Sequence, residues 1–453
     1  MNPSNGKTIA EVPCATKADV SAAVEAADRA LPRWWERAPR DRAEVLRAAY
    51  ELMVAEHDVI ASIMRLEMGK TAADAHAEVR YAAEFFRWFS EETVRVGGSL
   101  RRAPSGNNTI LTVHRPVGVS LLLTPWNFPA AMATRKIAPA LAAGCTMVLK
   151  PAEDTPLTAL YLADLLGRAG APEGVVSVLP TDRPAEFVEW ALGDGRVRKL
   201  SFTGSTPVGR RLVAKSADRI VNCSLELGGN APFIVLDDAD LEAAVDGAMF
   251  AKMRNGGQAC TAANRFLVHT AVKHEFTERL TERMAALELG PATDDTTKLG
   301  PVINAKRQYD IADRVTEAIA DGAVVHTGGA PVEGPGCYFP ATVLGEVDRE
   351  CRLATEETFG PVAPIIEVAD ENDAVRLANA TEMGLAAYVY SGNLGRALSV
   401  GQRLECGMVG VNRGAISDPA APFGGMKQSG LGREGGFEGI NEYLETTYLA
   451  AHW

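Results

Sequence analysis

The apolar residues of this chain change period along its length, and the change divides it. In the first hundred residues they recur at helical spacing: Val20, Val24, Ala27 and Leu31 fall on one face, the signature of an amphipathic helix. Thr16 with Asp19 three residues on is a start signal for that helix, and Pro32 is expected to stop it. Further amphipathic helices are predicted over residues 40–53 and 71–89, with Gly69 as the terminator between them. Trp34, Trp35, Phe85, Phe86 and Trp88 read as core and interface filling.

After Gly97-Gly98 the polar, partly alternating stretch 105–115 predicts a projecting hairpin. From Val117 the pattern is different. The runs 117–123, 146–149, 175–179 and 197–202 are short, almost continuously apolar and separated by helical segments. Strands buried on both faces have this composition, so βαβ units and a parallel sheet follow. A second such region opens at 232–236, passes through a helix over 241–254, and continues at 323–325, 362–368 and 387–390. The fold class is therefore α/β, with two parallel-sheet regions and a cleft between them. The stretch 443–448 reads as an exposed strand in need of a partner.

Length and composition narrow the function. At 453 residues the chain predicts two or three domains of roughly 100–200 residues each. A formal net charge of -12 argues against nucleic acid or an anionic membrane surface as a main partner, because both reward a basic face. No apolar run approaches the ~18 residues of a membrane span. The seven cysteines, at 14, 145, 223, 260, 337, 351 and 406, are scattered and include no CxxC pair. That pattern favours reduced thiols and a cytoplasmic location over a disulfide framework or a zinc site. His269 and His274, five residues apart, are badly spaced for one helical face, and no metal site is expected.

Five stretches carry candidate chemistry. In Arg254–Arg265, Cys260 sits among glycines and small residues, which suits a thiol in an open turn; a small buried hydrophobe is the alternative. In Ser201–Gly209 a strand runs into a turn and then a helix that Pro207 can start, and such an N-terminus suits a pyrophosphate. Lys150-Pro-Ala-Glu153 follows a strand, where α/β sheets bind ligands and a lysine and a carboxylate can hold ribose hydroxyls. An acidic group there favours NAD over NADP, whose 2′-phosphate would meet a like charge. The two prolines of Thr124-Pro-Trp-Asn-Phe-Pro129 pin Asn127, whose amide can donate to a developing oxyanion. Glu226, in apolar surroundings before two glycines, is placed for a raised pKa and general-base work. Taken singly, each stretch is also explained by turn chemistry or a solvated face.

In order, these pieces resemble the aldehyde dehydrogenase superfamily: PWNFP at 125–129, KPAE at 150–153, FTGS at 202–205, ELGG at 226–229, GQAC at 257–260, EETFGP at 356–361 and PFGGMKQSGLGRE at 422–434. The separation from Glu226 to Cys260, 260 − 226 = 34, fits as well. The resemblance implies that Cys260 is the nucleophile, Glu226 the general base, and Asn127 with the Cys260 N–H the oxyanion hole. It implies NAD as cofactor, with NADP admissible, held by Lys150 and Glu153 at the adenosine ribose, Gly204 and Ser205 at the pyrophosphate, Trp126 beside the nucleotide, and Glu357 with Phe359 at the nicotinamide ribose.

Arg135, Arg254 and Ser417 match positions that hold the substrate carboxylate in the succinate-semialdehyde dehydrogenases of that superfamily. Two guanidinium groups in a pocket would select a dicarboxylic semialdehyde, whereas the alternative use of these arginines is interdomain ion pairing. Ala262 stands where members of that subfamily often carry a second cysteine, so a reversible disulfide at the nucleophile is not expected. The resemblance also predicts a cofactor domain over 1–97 and 117–227, a catalytic domain over 228–427, and an oligomerisation element over 98–116 and 428–453 that makes a homodimer or homotetramer.

Overall fold

The computed structural model describes residues 1–452. The apolar runs form the interiors of two sheets. In the first, Asn222–Glu226, Val197–Thr203, Val119–Leu123, Thr146–Lys150 and Val176–Val178 lie side by side in that order and parallel. Gly430–Leu431 closes the edge antiparallel to Asn222–Glu226. In the second, Thr342–Gly345, Val362–Val368, Ala263–His269, Ala231–Val235, Ala386–Tyr390 and Met408–Val411 are parallel. Val324–Thr327 adds an antiparallel edge. The runs at 119–123, 146–150, 231–235 and 386–390 are buried throughout, as strands covered by helices on both faces must be.

The pairing of Leu123 with both Lys150 and Phe202 brings the turns after these strands out at one level. Thr124, Pro151 and Gly204 thus open on the carboxyl end of the first sheet, the ligand-binding edge of an open α/β sheet. Glu226, last residue of its strand, reaches the same edge. The helix Pro129–Ala143 starts here with a proline in its first turn and is buried along its whole length. It ends at Gly144, whose φ of 91° is open to glycine at little cost.

A separate three-stranded antiparallel sheet joins Ser99–Arg102, Thr109–Pro116 and Leu444–Ala451, with Leu100, Tyr448 and Leu449 exposed on it. The C-terminal strand thus finds one partner within the chain. No helix among the described residues is long and apolar enough to cross a membrane.

Two expectations need correction, and one element is additional. Pro32 does not stop the first helix, which runs Lys17–Trp35. Close to the helix end its missing N–H costs a single bond, and the Glu36 N–H still returns to Pro32 O at 2.9 Å. A helix over His57–Glu67 was not anticipated. It follows the helix Pro39–Ala55 after Glu56 alone, with no side-chain cap to mark the break. The hairpin's first strand lies before residue 105, at Ser99–Arg102, and 103–108 forms its turn.

Candidate active site

The chain reaches Cys260 through the helix Leu241–Met253 and a tight turn in which Asn255, Gly256 and Gly257 all take left-handed φ, of 56°, 61° and 74°. A Cβ on Gly257 would stand 2.1 Å from the Gly360 carbonyl oxygen, so the turn is pressed against the EETFGP segment. Polar groups tie it down elsewhere. The Gln258 side chain accepts from the Ile303 N–H at 3.0 Å, and the Asn255 amide donates to Asn127 O at 2.9 Å and Gln258 O at 3.0 Å.

This places Cys260, half-buried, at the floor of a cleft also lined by Trp126, Asn127, Gly204, Ser205, Glu357 and Phe359. The Asn127 Nδ2 donates to Gln258 O at 3.2 Å, which leaves its second hydrogen free; its Oδ1 is buried without a partner. Burial pushes the thiol of Cys260 up to about 12; the positive charge of Arg135 opposes this, while the carboxylates of Glu226 and Glu357 add to it.

Glu226 is 3% exposed, and neither carboxylate oxygen has a hydrogen-bond partner. Burial, then the like charge of Glu434, raises its pKa well above the usual carboxylate range against the pull of Arg135 and Lys136. A Cβ on Gly424 would lie 2.9 Å from Glu226 Oε1, so the PFGGMKQSGLGRE segment is in contact with this carboxylate. Its last residue, Glu434, takes Lys136 Nζ at 2.5 Å.

The cofactor candidates gather on one side. Lys150 Nζ donates to Pro151 O at 2.9 Å and to Glu153 Oε1 at 2.7 Å. Ser205 is exposed at the start of the helix Thr206–Ser216, and no side chain caps that helix, so its first N–H groups remain available to an anion. Trp126 meets Phe359 edge to face at 5.5 Å. Glu357 accepts from the Gly229 N–H at 3.1 Å, and burial lifts its carboxyl to about 7. Cβ atoms on Gly204 and Gly228 would run into Phe202 at 2.4 Å and Glu357 Oε2 at 2.7 Å, so both positions have room only for glycine.

The substrate candidates separate. Arg254 and Ser417 share a small cleft with Phe250, Thr261, Tyr388 and Ile416 beside the nucleophile. The Arg254 guanidinium stacks 4.7 Å from the Phe128 ring centre. Among the described residues no carboxylate lies within 4.0 Å of it. Arg135 is fully buried against the Phe423 ring at 4.0 Å. It is bonded to the Tyr81 hydroxyl and stands 3.5 Å from Glu434 Oε2. Arg135 thus has a carboxylate 3.5 Å away, whereas Arg254 has none within 4.0 Å among the described residues.

Lys136 and Glu434 were missed as site residues, although the adjacent Arg135 and Lys136 in the otherwise uncharged, buried helix Pro129–Ala143 are a signal for the first of them. Also unanticipated is the meeting of His57, Asp58 and His76, whose donor atoms lie within 4.8 Å of one another. The two imidazoles stack at 12° and 4.7 Å, an arrangement that keeps their in-plane lone pairs from converging on one ion. Their Nδ1 atoms lie 3.1 Å apart.

Comparison with known proteins supplies the family. The profile described as "Aldehyde dehydrogenase family" matches residues 1–449. A succinate-semialdehyde dehydrogenase of Paenarthrobacter nicotinovorans is 54% identical over 441 residues, covering 97% of this chain and 98% of that protein. A succinate-semialdehyde dehydrogenase [NADP(+)] of Escherichia coli strain K12 is 46% identical over 99% of this chain and 93% of its own length. The crystal structure of succinate-semialdehyde dehydrogenase from Burkholderia pseudomallei superposes with a TM-score of 0.98 at 47% identity, covering 100% of this chain and 94% of that one.

Proposed function

We propose, from the premise that this chain belongs to the aldehyde dehydrogenase family, that it oxidises a dicarboxylic semialdehyde, succinate semialdehyde foremost, to the dicarboxylate. The balance is aldehyde, NAD(P)+ and water giving carboxylate, NAD(P)H and two protons. The observation that carries the substrate class is Arg254: a half-buried guanidinium beside Ser417, next to the nucleophile turn and without a carboxylate of its own. A charged group so placed gains most by pairing with an anion on the ligand.

The Cys260 sulfur, as thiolate, bonds to the aldehyde carbon and gives a thiohemiacetal. The free Asn127 N–H and the Cys260 backbone N–H stabilise the oxyanion of that step. A bound nicotinamide dinucleotide supplies the hydride acceptor. After oxidation the acyl group sits on Cys260 as a thioester, and Glu226 takes a proton from the water that cleaves it. Arg254 and Ser417 hold the far carboxylate, with the positive charge of Arg135 behind the reacting centre.

For the cofactor, Lys150 and Glu153 are positioned for the adenosine ribose, the Gly204–Ser205 turn for the pyrophosphate, Trp126 beside the nucleotide, and Glu357 with Phe359 for the nicotinamide ribose. Glu153 favours NAD. Its 2.7 Å bond to Lys150 offsets the charge that would repel a 2′-phosphate, so NADP is also accepted. The named NADP(+) relative supports that dual use. We infer the domain division over 1–97 with 117–227 and over 228–427 from the two sheets, and assembly of a cytoplasmic homodimer or homotetramer through the three-stranded sheet.

Reduced-cofactor formation with succinate semialdehyde, glutarate semialdehyde and butanal, each with NAD and NADP, tests the proposal. A higher kcat/KM for the anionic aldehydes is expected, and equal values for butanal refute the carboxylate assignment. Product analysis with CoA present must return the free acid.

A further inference from the structure

Lys70 has no part in the roles above, yet it is tied to two of them. It lies just before the helix Ala72–Thr93 and is 2% exposed. Its Nζ donates to the Asn127 carbonyl oxygen at 2.8 Å and to Asn255 Oδ1 at 2.6 Å. The same ammonium stands 3.1 Å from Glu78 Oε2 and 4.0 Å from the Phe128 ring centre.

Glu78, also buried, uses its other oxygen to accept the Ala130 and Ala131 N–H groups at 2.9 and 3.1 Å. The ion pair therefore grips the Asn127-Phe128-Pro129 turn from both sides, the ammonium on a carbonyl and the carboxylate on the N–H groups that follow. Asn255 extends the grip to the thiol turn. Its Nδ2 donates to Asn127 O and to Gln258 O, and Asn127 Nδ2 donates to that same Gln258 oxygen. A buried ion pair is a weak source of net stability, since well-packed apolar residues of the same volume do as well. What apolar residues cannot reproduce is this directed set of bonds.

We propose that Lys70 is a positioning residue: its ammonium fixes the turn carrying the Asn127 amide and the turn carrying Cys260 against each other, so that both address one substrate carbonyl. The inference rests on the assignment of Asn127 and Cys260 made above. It separates Lys70 from Arg254, which lies on the same Phe128 ring but touches neither turn's carbonyl.

The test compares Lys70→Met/Glu78→Gln, which buries no unpaired charge, with Glu78→Gln alone, in which the ammonium keeps its bonds to the Asn127 carbonyl and Asn255 Oδ1. Relative to that single variant, kcat/KM for succinate semialdehyde falls roughly 10- to 100-fold, approaching the loss of an oxyanion-hole donor, while KM for NAD stays within about twofold. Amide hydrogen exchange in residues 254–260 quickens by about tenfold at an unchanged melting temperature, as expected when a local opening becomes easier. Asn255→Gly, which keeps the left-handed backbone but removes the link, gives the same faster exchange should the double variant fold poorly. Unchanged exchange in whichever of the two folds, or a kcat/KM of the double variant within twofold of Glu78→Gln, overturns the proposal. If the wild-type protein oxidises no aldehyde, the functional reading fails, whereas the exchange measurement still decides the role of Lys70.

Discussion

Replacing Arg254 by methionine keeps most of the apolar contact with Phe128 and removes only the charge. The guanidinium can make two parallel bonds to a carboxylate, and hydrogen bonds to charged groups are worth about 1.5–3 kcal/mol each. Arg254 is half-buried and Ser417 stays in place, so solvent and the remaining hydroxyl recover part of that sum. A net loss of roughly 3 kcal/mol corresponds to a fall of about 150-fold in kcat/KM for succinate semialdehyde. Butanal has no carboxylate to lose and should change by less than about threefold. The assay is steady-state reduced-cofactor formation with both aldehydes on wild type and variant. Arg135→Met is the contrast, because its charge lies behind Cys260 and Glu226 and its loss should lower both substrates alike. Equal losses for the two aldehydes in Arg254→Met would place that residue in the common machinery and refute the substrate role.

Glu226→Gln should leave a burst of about one equivalent of reduced cofactor and slow turnover by roughly 10²- to 10⁴-fold, because the thioester forms but its water lacks a base. Burial raises the Glu226 pKa well above the usual carboxylate range, so the basic limb of wild-type kcat is expected to rise at higher pH than for an ordinary carboxylate. The variant's profile should lose this limb, and an unaltered profile would assign the base elsewhere. Alkylation of Cys260 by iodoacetamide in the cofactor-free protein should speed up about tenfold per pH unit without levelling off below pH ~10, as the thiolate fraction grows; a plateau near neutrality would contradict the raised thiol pKa. Gly257→Ala should destabilise the protein by about 2–5 kcal/mol in denaturant unfolding, through the left-handed φ and the backbone clash together, and a neutral result would mean that the turn relaxes freely.

The parts legible in the sequence are those whose signal is local. Continuous apolar runs marked 146–150 and 362–368 almost to the residue, because burial on both faces leaves no room for polar alternation. Thr16 with Asp19 announced a helix start that the structure makes as a reciprocal cap. The thiol and the amide were legible as turn residues and the carboxylate as one in apolar surroundings before two glycines, and the structure brings Cys260 and Asn127 to one cleft, with Glu226 near enough to shift the thiol.

What stayed hidden depends on packing between distant segments. Nothing near Lys70 in sequence tells of Asn127 or Asn255. Arg135 and Arg254 look equivalent as arginines in otherwise apolar or small-residue surroundings. Only the placement of Glu434 and Tyr81 around the first separates them.

The edge strand Gly430–Leu431, paired with Glu226 and Leu225, sets an order on the making of this protein. Glu226 is synthesised 205 residues before Leu431, the last of those partners, because 431 − 226 = 205. At the usual ribosomal pace of about 5–20 residues per second, the nascent chain carries the carboxylate for roughly 10–40 s with its sheet edge unpaired. For most of that time Cys260 is already made, while Gly424 and Glu434 do not yet exist. The pocket around the base is thus assembled from the middle and the last part of the chain, and a chain released before residue 431 has the nucleophile without a finished housing for the group that frees its product.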